Sequence, residues 1–313
     1  MSLGGLVGFG VLGVALLTAV SIAASASVYL LRDRLRRAGP AMERSAAAWA
    51  LSGPVVLAFS VVVAMVIRGS GDVDHCIGHE HHAHFCFVHG GAWLERPWAV
   101  AITSACAVIV ALRLWGVGSR RIHAAIAIAQ VRRVADRGPH VRLVRSTRVF
   151  CFIAGWLRPE VYASSQAWDA LSAEEREAVL AHERAHAAHG DLWLGIVIDV
   201  ASVLAAPLAG GWLRARWADA AERMCDQRAA EHTDRETVAS ALVRMSRAAH
   251  VQHVPSGFTP RPDALARRVR AVLESGSAGR GLPPVAWCLA VAAISAVAVL
   301  ATDLHHALET LLG

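Results

Sequence analysis

The strongest chemical signal in this sequence is a pair of histidines four residues apart with a glutamate directly after the first: Leu180-Ala181-His182-Glu183-Arg184-Ala185-His186. On a helix, residues four apart share a face, so both imidazoles can converge on one metal ion. Glu183 sits beside that face, where its carboxylate can act as general base toward a water attacking a peptide carbonyl. A catalytic zinc takes three protein ligands and keeps one position open. A third histidine six residues after His186 is not available, because that position is Leu192. A glutamate on a later helix is the alternative, and Glu222-Arg223-Met224-Cys225-Asp226 supplies it. Glu222 is then the third ligand. Asp226, again four residues on, is a carboxylate able to accept the free N–H of a ligand histidine. Glu222 also stands among Arg216, Asp219 and Arg223, as an ordinary solvated helix charge would.

The elements that must hold these groups can be read locally. Ser172-Ala173-Glu174-Glu175 is a capping-box pattern that opens the helix carrying His182 and His186, and Gly190 suits its left-handed end. Val141 to Val144, Val149 to Ile153 and Val161 to Ser164 read as short strands, with Gly155 and Pro159 as breakers. The last of these is expected to offer an edge to an extended substrate. Further helices are expected over Ser119 to Arg137, continuing from the apolar run 98–115, and over Leu213 to His232, Arg235 to His250 and Asp263 to Glu274. No oxyanion donor declares itself; His232 and Arg228 fit a plain surface role better than that one.

The rest of the chain is too apolar for an ordinary soluble domain. It is 55% hydrophobic over 313 residues, with a mean hydropathy of +0.42. The net charge is +6 and all 31 basic residues are arginine. The arginines are scattered and not interleaved with aromatics, which argues against nucleic-acid binding. Three runs, about 6–31, 46–67 and 98–115, are long enough to cross the hydrocarbon core of a bilayer. The first is followed, not preceded, by its basic cluster (Arg32, Arg34, Arg36, Arg37), which argues for a span and against a signal peptide. That cluster and Arg120, Arg121, Arg132 and Arg133 place residues 116–283 in the cytoplasm. A fourth apolar run within 284–313 returns the chain outward. The expectation is a mainly α polytopic membrane protein with external termini, in a bacterial cell membrane, carrying a cytoplasmic zincin-like α+β metalloprotease domain. The apolar stretch 192–211 cannot cross fully, since His186 and Glu222 would then lie on opposite sides of the membrane and could not share an ion at ~2 Å. A hairpin, either re-entrant or packed in the domain core, is expected there.

The external loop 68–97 gathers His75, Cys76, His79, His81, His82, His84, Cys86 and His89 in fifteen residues. That density suits zinc, copper or nickel and a second metal site; Cys76 and Cys86 can instead form a disulfide in an external compartment. Neither these nor Cys106, Cys151, Cys225 and Cys288 form a C-x-x-C pair.

Several stretches together resemble one family. Arg158-Pro-Glu-Val-Tyr-Ala163, Leu171-Ser-Ala-Glu-Glu175, Val179 to His186 with Asp191, Glu222-x-x-Cys225-Asp226-x-x-Ala229 and Arg268-Val-Arg-Ala-Val-Leu273 are similar to the antibiotic-sensor membrane metallopeptidases of the BlaR/MecR type. The resemblance extends to the topology of three spans, a cytoplasmic protease domain and one more span. It implies a zinc endopeptidase that, on a signal at the membrane, cleaves a cytoplasmic regulator such as a transcriptional repressor. The best-known members carry an external penicillin-binding domain after the last span, and this sequence ends at Gly313, so beta-lactam sensing is not implied. The Ste/HtpX-type membrane proteases share H-E-x-x-H and a distal E-x-x-x-D, which leaves a quality-control protease as an alternative. A third reading is a receptor that senses metal without proteolysis, its H-E-x-x-H zinc structural and Cys225 a fourth ligand. A glutamate inside the motif has little purpose in such a site, which favours the enzyme.

Overall fold

The computed structural model describes residues 3–69, 97–146, 148–155, 157–205, 210–250, 262–274, 292–293 and 296. The histidine-rich loop, including His75, Cys76, His79, His81, His82, His84, Cys86 and His89, lies outside the described residues, as does nearly all of the fourth apolar run.

Apolar sequence dictates the first elements. Helix α1 (Leu3–Leu30) is followed by the short basic α2 (Arg32–Ala38), then by α3 (Pro40–Gly69) and α4 (Pro97–Val134). α1, α3 and α4 are each long and apolar enough to cross a membrane. At 1.5 Å per residue even the shortest is about 42 Å long, against about 30 Å of hydrocarbon. Their large apolar side chains stay exposed, among them Ile22, Phe59, Ile102, Ile109 and Leu112, as lipid-facing residues would. Two boundaries differ from the sequence expectation. α3 begins at Pro40, so Glu43 and Arg44 belong to the helix and not to a linker. α4 runs unbroken through Gly116 and Gly118, so the helix expected from Ser119 does continue from the third span, but it ends at Val134 and Asp136–Arg137 form a strand.

A four-stranded sheet follows: β1 (Asp136–Arg137), β2 (Arg142–Val144), β3 (Cys151–Ala154) and β4 (Glu160–Ser164), in the order β1-β2-β4-β3. β2 pairs with β4 in parallel, and β3 with β4 antiparallel. The strand expected to offer a free edge, β4, is therefore central. The edge belongs to β3, because the β3–β4 hairpin folds back and lays β4 against β2. Gly155 makes the turn with φ of +110°, and a Cβ there would meet the Arg158 carbonyl at 2.4 Å.

The remaining helices are α5 (Ser165–Asp169), α6 (Ala173–Ala188), α7 (Asp191–Leu204), α8 (Gly210–His232), α9 (Arg235–His250) and α10 (Pro262–Glu274). The capping box is present: Ser172 accepts from the Glu175 amide, and Glu175 accepts from the Ser172 amide. Glu175 is buried and also takes Ser240 Oγ at 2.5 Å and Arg244 Nε at 2.8 Å, which ties α6 to α9.

Helix α6 is packed from two sides. Leu180 joins Val141, Val161 and Ala163 of the sheet layer, while Ala178 and Ala181 meet Ala229, Val238 and Val272 of α8, α9 and α10. At Gly190 (φ +68°) the chain turns by 58° into α7. The stretch 192–211, where a hairpin is expected, holds most of α7 and the first residues of α8, and these two helices pack together. Ile198 and Ala201 pack with Leu213 of α8, Val28 of α1 and Leu51 of α3. Asp199, which interrupts the apolar run, is held by Arg121 of α4 and by Arg214 at 2.6 Å.

Candidate metal centre

Helix α6 presents His182 and His186 on one face, with ring centroids 4.9 Å apart and Nε2 atoms 3.2 Å apart. α8 lies against that face and brings Glu222 to both: Oε2 is 3.6 Å from His182 Nε2, and Oε1 is 3.6 Å from His186 Nε2. Two imidazole nitrogens and a carboxylate are the donor set of a catalytic zinc. Ligand atoms about 2.0–2.1 Å from an ion at tetrahedral angles stand about 3.4 Å apart. The Nε2 pair at 3.2 Å and the 3.6 Å from each to a different Glu222 oxygen are close to that spacing, so the donor set fits a zinc ion. The Glu222 side chain is 40% exposed, so solvent reaches this trio among the described residues.

Each histidine has an aspartate behind it. His186 Nδ1 donates to Asp191 Oδ2 at 2.8 Å, which leaves the Nε2 lone pair facing the trio. Asp226 Oδ1 lies 3.0 Å from His182 Nδ1, off the axis of a good hydrogen bond. Each aspartate has an arginine behind it in turn. Arg268 of α10 makes a two-point contact with Asp226, 2.7 Å to each oxygen, and reaches Glu222 Oε2 at 3.0 Å. Arg44 of α3 donates to Asp191 Oδ1. The sequence indicates Asp226 through its spacing from Glu222. The roles of Asp191, Arg44 and Arg268 escape it, because their pairings are set by tertiary packing.

Cys225 Sγ is 4.0 Å from Asp191 Oδ2, the oxygen that His186 Nδ1 also meets, and these three form a second cluster of possible metal donors. Burial first, then the neighbouring carboxylates, push its thiol well up, so it remains a thiol. Arg228 pairs with Glu231 at 2.5 Å on the exposed face of α8, and His232 is exposed beyond it.

Glu183 is buried at the foot of β3. Burial is the main influence and raises its pKa, against the pull of His182, His186 and the Ile153 backbone amide. A carboxylate moved toward neutrality is the better proton acceptor for turnover near pH 7. Burial alone would lower the His182 pKa, but Asp226 and Glu222 overturn this and push it up to about 10. Burial opposes ionisation of Glu222 as well, and His182 and Arg268 nonetheless hold it far below the usual carboxylate range.

With its pKa pushed up by Asp226 and Glu222, His182 is expected to hold a second ring proton in the metal-free site, which a ligand imidazole must lose. Zinc uptake at about pH 7.5 should expel about one proton per chain, and apparent affinity should rise about tenfold per pH unit until pH approaches the His182 value. Calorimetric titration in two buffers of different ionisation enthalpy measures this directly. A proton count of zero would show that His182 is neutral before the metal arrives.

A family model described as BlaR1 peptidase M56 matches residues 98–272, from the start of α4 to within α10, and thus covers the whole site. No curated protein and no solved structure matches the chain. The matched stretch is more than half of the sequence, and it contains both the histidine pair and the glutamate that α8 brings to it: the chain belongs to the BlaR1 peptidase M56 family.

Proposed function

We propose that this chain is a membrane-anchored zinc endopeptidase whose cytoplasmic site cleaves a cytoplasmic or membrane-associated regulatory protein, of which a transcriptional repressor is one class, in signal transduction. The observation that carries the reading is the convergence of His182, His186 and Glu222 at tetrahedral spacing with Glu183 beside them. Zinc, when bound, supplies Lewis acidity to the scissile carbonyl and lowers the pKa of water. The chain's own residues do the rest. His182, His186 and Glu222 hold the ion. Asp191 keeps the His186 ring in the tautomer with Nε2 free. Glu183 takes a proton from the attacking water and returns it to the leaving amine.

The β3 edge supports a peptide substrate. Ser164 N–H donates to Phe150 O, which sets the pairing phase so that Phe152 and Ala154 face β4 with their backbone groups. The amides and carbonyls of Cys151 and Ile153 then point away from β4, on the side where Glu183 lies. The Ile153 amide is held by Glu183, so an extended substrate segment would add there as a further strand through the Cys151 groups and the Ile153 carbonyl. A non-proteolytic zinc receptor would need a fourth protein ligand, and Cys225, the residue best suited by type, faces Asp191 instead.

The test is metal content. The detergent-solubilised protein should hold one zinc per chain, and His182→Ala, His186→Ala and Glu222→Ala should each lose it. Full zinc occupancy in Glu222→Ala would remove Glu222 from the ligand set.

A further inference from the structure

Helix α3 is a membrane-spanning helix by length and composition, yet its first turns reach into the metal centre. Arg44 and Asp191 are 147 residues apart in sequence, and their side chains are only 12% and 8% exposed. Arg44 donates to Asp191 Oδ1 and also to the His189 carbonyl at 3.1 Å, while its guanidinium lies 5.8 Å from the Trp217 ring centroid. Asp191 is thereby filled on both oxygens: Arg44 on Oδ1, and His186 Nδ1 on Oδ2 with the Cys225 thiol nearby. One residue earlier, Glu43 is buried and accepts from Arg216 and from Arg223 Nη2, the latter at 2.5 Å. Both of these arginines are on α8, which carries Glu222 and Asp226. A single turn of α3 thus grips the residue that orients one ligand and the helix that supplies another.

We propose that Arg44 is a positioning residue for the metal centre: it fixes the Asp191 carboxylate and, through it, the His186 ring, so that a membrane-spanning helix sets the geometry of a ligand in the cytoplasmic site. This rests on the reading of His182, His186 and Glu222 as zinc ligands. A carboxylate with one oxygen bonded only to a mobile side chain can swing about its Cα–Cβ bond. A guanidinium anchored by a backbone carbonyl and an indole holds that carboxylate in one rotamer, and the imidazole with it. A charge-assisted pair with little solvent contact holds a defined geometry better than an exposed pair does.

The experiment uses the full chain in detergent. Zinc affinity is measured by chelator competition for the wild type, Arg44→Ala, Asp191→Asn and the double variant, and the visible ligand-field spectrum of the cobalt(II)-loaded forms is recorded. Arg44→Ala and Asp191→Asn should each weaken zinc binding by about 10- to 100-fold, in the range seen when partners of metal ligands are changed. Both should shift the cobalt bands in the same sense, and Arg44→Lys should recover part of the loss. Because Arg44 acts on His186 only through Asp191, the double variant should bind zinc no more weakly than Asp191→Asn alone. Losses that multiply in the double variant, or an Arg44→Ala protein with wild-type affinity and wild-type cobalt bands, would overturn the inference. Should Arg44→Ala not fold, Arg44→Lys and its combination with Asp191→Asn carry the same comparison. A wild type that takes up no zinc defeats the metal reading itself, and this inference falls with it. Zinc binding that is lost in His182→Ala but indifferent to Arg44 defeats the inference alone.

Discussion

Glu183→Gln is expected to keep its zinc and to lose peptide-bond cleavage by about 10²- to 10⁴-fold, the contribution typical of a positioned general base. Glu183 is not one of the three converging ligands. The replacement preserves size and leaves a polar group in the same buried pocket, so the packing of α6 against the sheet should survive. What disappears is the ability to accept a proton, which the amide lacks. Zinc content measured alongside cleavage of a model protein, or self-cleavage, separates these two properties. A variant that retains zinc and still cleaves at the wild-type rate would remove Glu183 from the chemistry and return the non-proteolytic receptor to favour.

Arg268→Ala should be the most destabilising single change at the site, by about 3–5 kcal/mol, because it leaves a buried charge without its partner. Asp226 is 1% exposed and receives both of its short contacts from Arg268. Burial opposes ionisation of Asp226, but Arg268 beside it prevails and holds the carboxyl below its ordinary range. A depressed carboxylate stabilises the fold fully above the unfolded-state value, about pH 4, and the contribution fades as pH falls from there through the folded-state value. Denaturant unfolding of the zinc-free protein should therefore show the deficit of Arg268→Ala at neutral pH and its shrinkage in acid. Adding Asp226→Asn to Arg268→Ala should restore part of the lost stability. Unfolding of Arg268→Ala indistinguishable from wild type would mean that Asp226 is neutralised by other groups.

The parts of this site that could be read from sequence are those whose geometry is local. His182, Glu183 and His186 lie within five residues of one helix, and helical periodicity alone puts the histidines together. Ser172 and Glu175 announce the start of that helix for the same reason. Glu222 required one further step, a second helix with its own four-residue spacing to Asp226. Arg44, Asp191 and Arg268 could not be paired this way. Arg268 is 42 residues from Asp226, and Arg44 is 147 from Asp191. Each sits in a chain rich in arginine, where composition cannot say which cation meets which carboxylate. Strand order escaped for a related reason. β3 and β4 are both short and apolar, and only the parallel pairing of β4 with β2 decides which of them is left at the edge.

The bend at Gly190 has a further consequence for how the chain meets the bilayer. Residues five apart on an unbroken helix point about 140° away from each other, so in a straight continuation Asp191 would face away from His186. The same straight continuation, Ala173 through Leu204, would be a rod about 48 Å long, enough to traverse a bilayer. Position 190 has open space around its missing Cβ, so what favours glycine there is its positive φ and not crowding. That one left-handed residue sets α6 and α7 at an angle to each other. It bends by 58° a stretch that hydropathy could count as one straight traverse, and so returns Asp191 to His186.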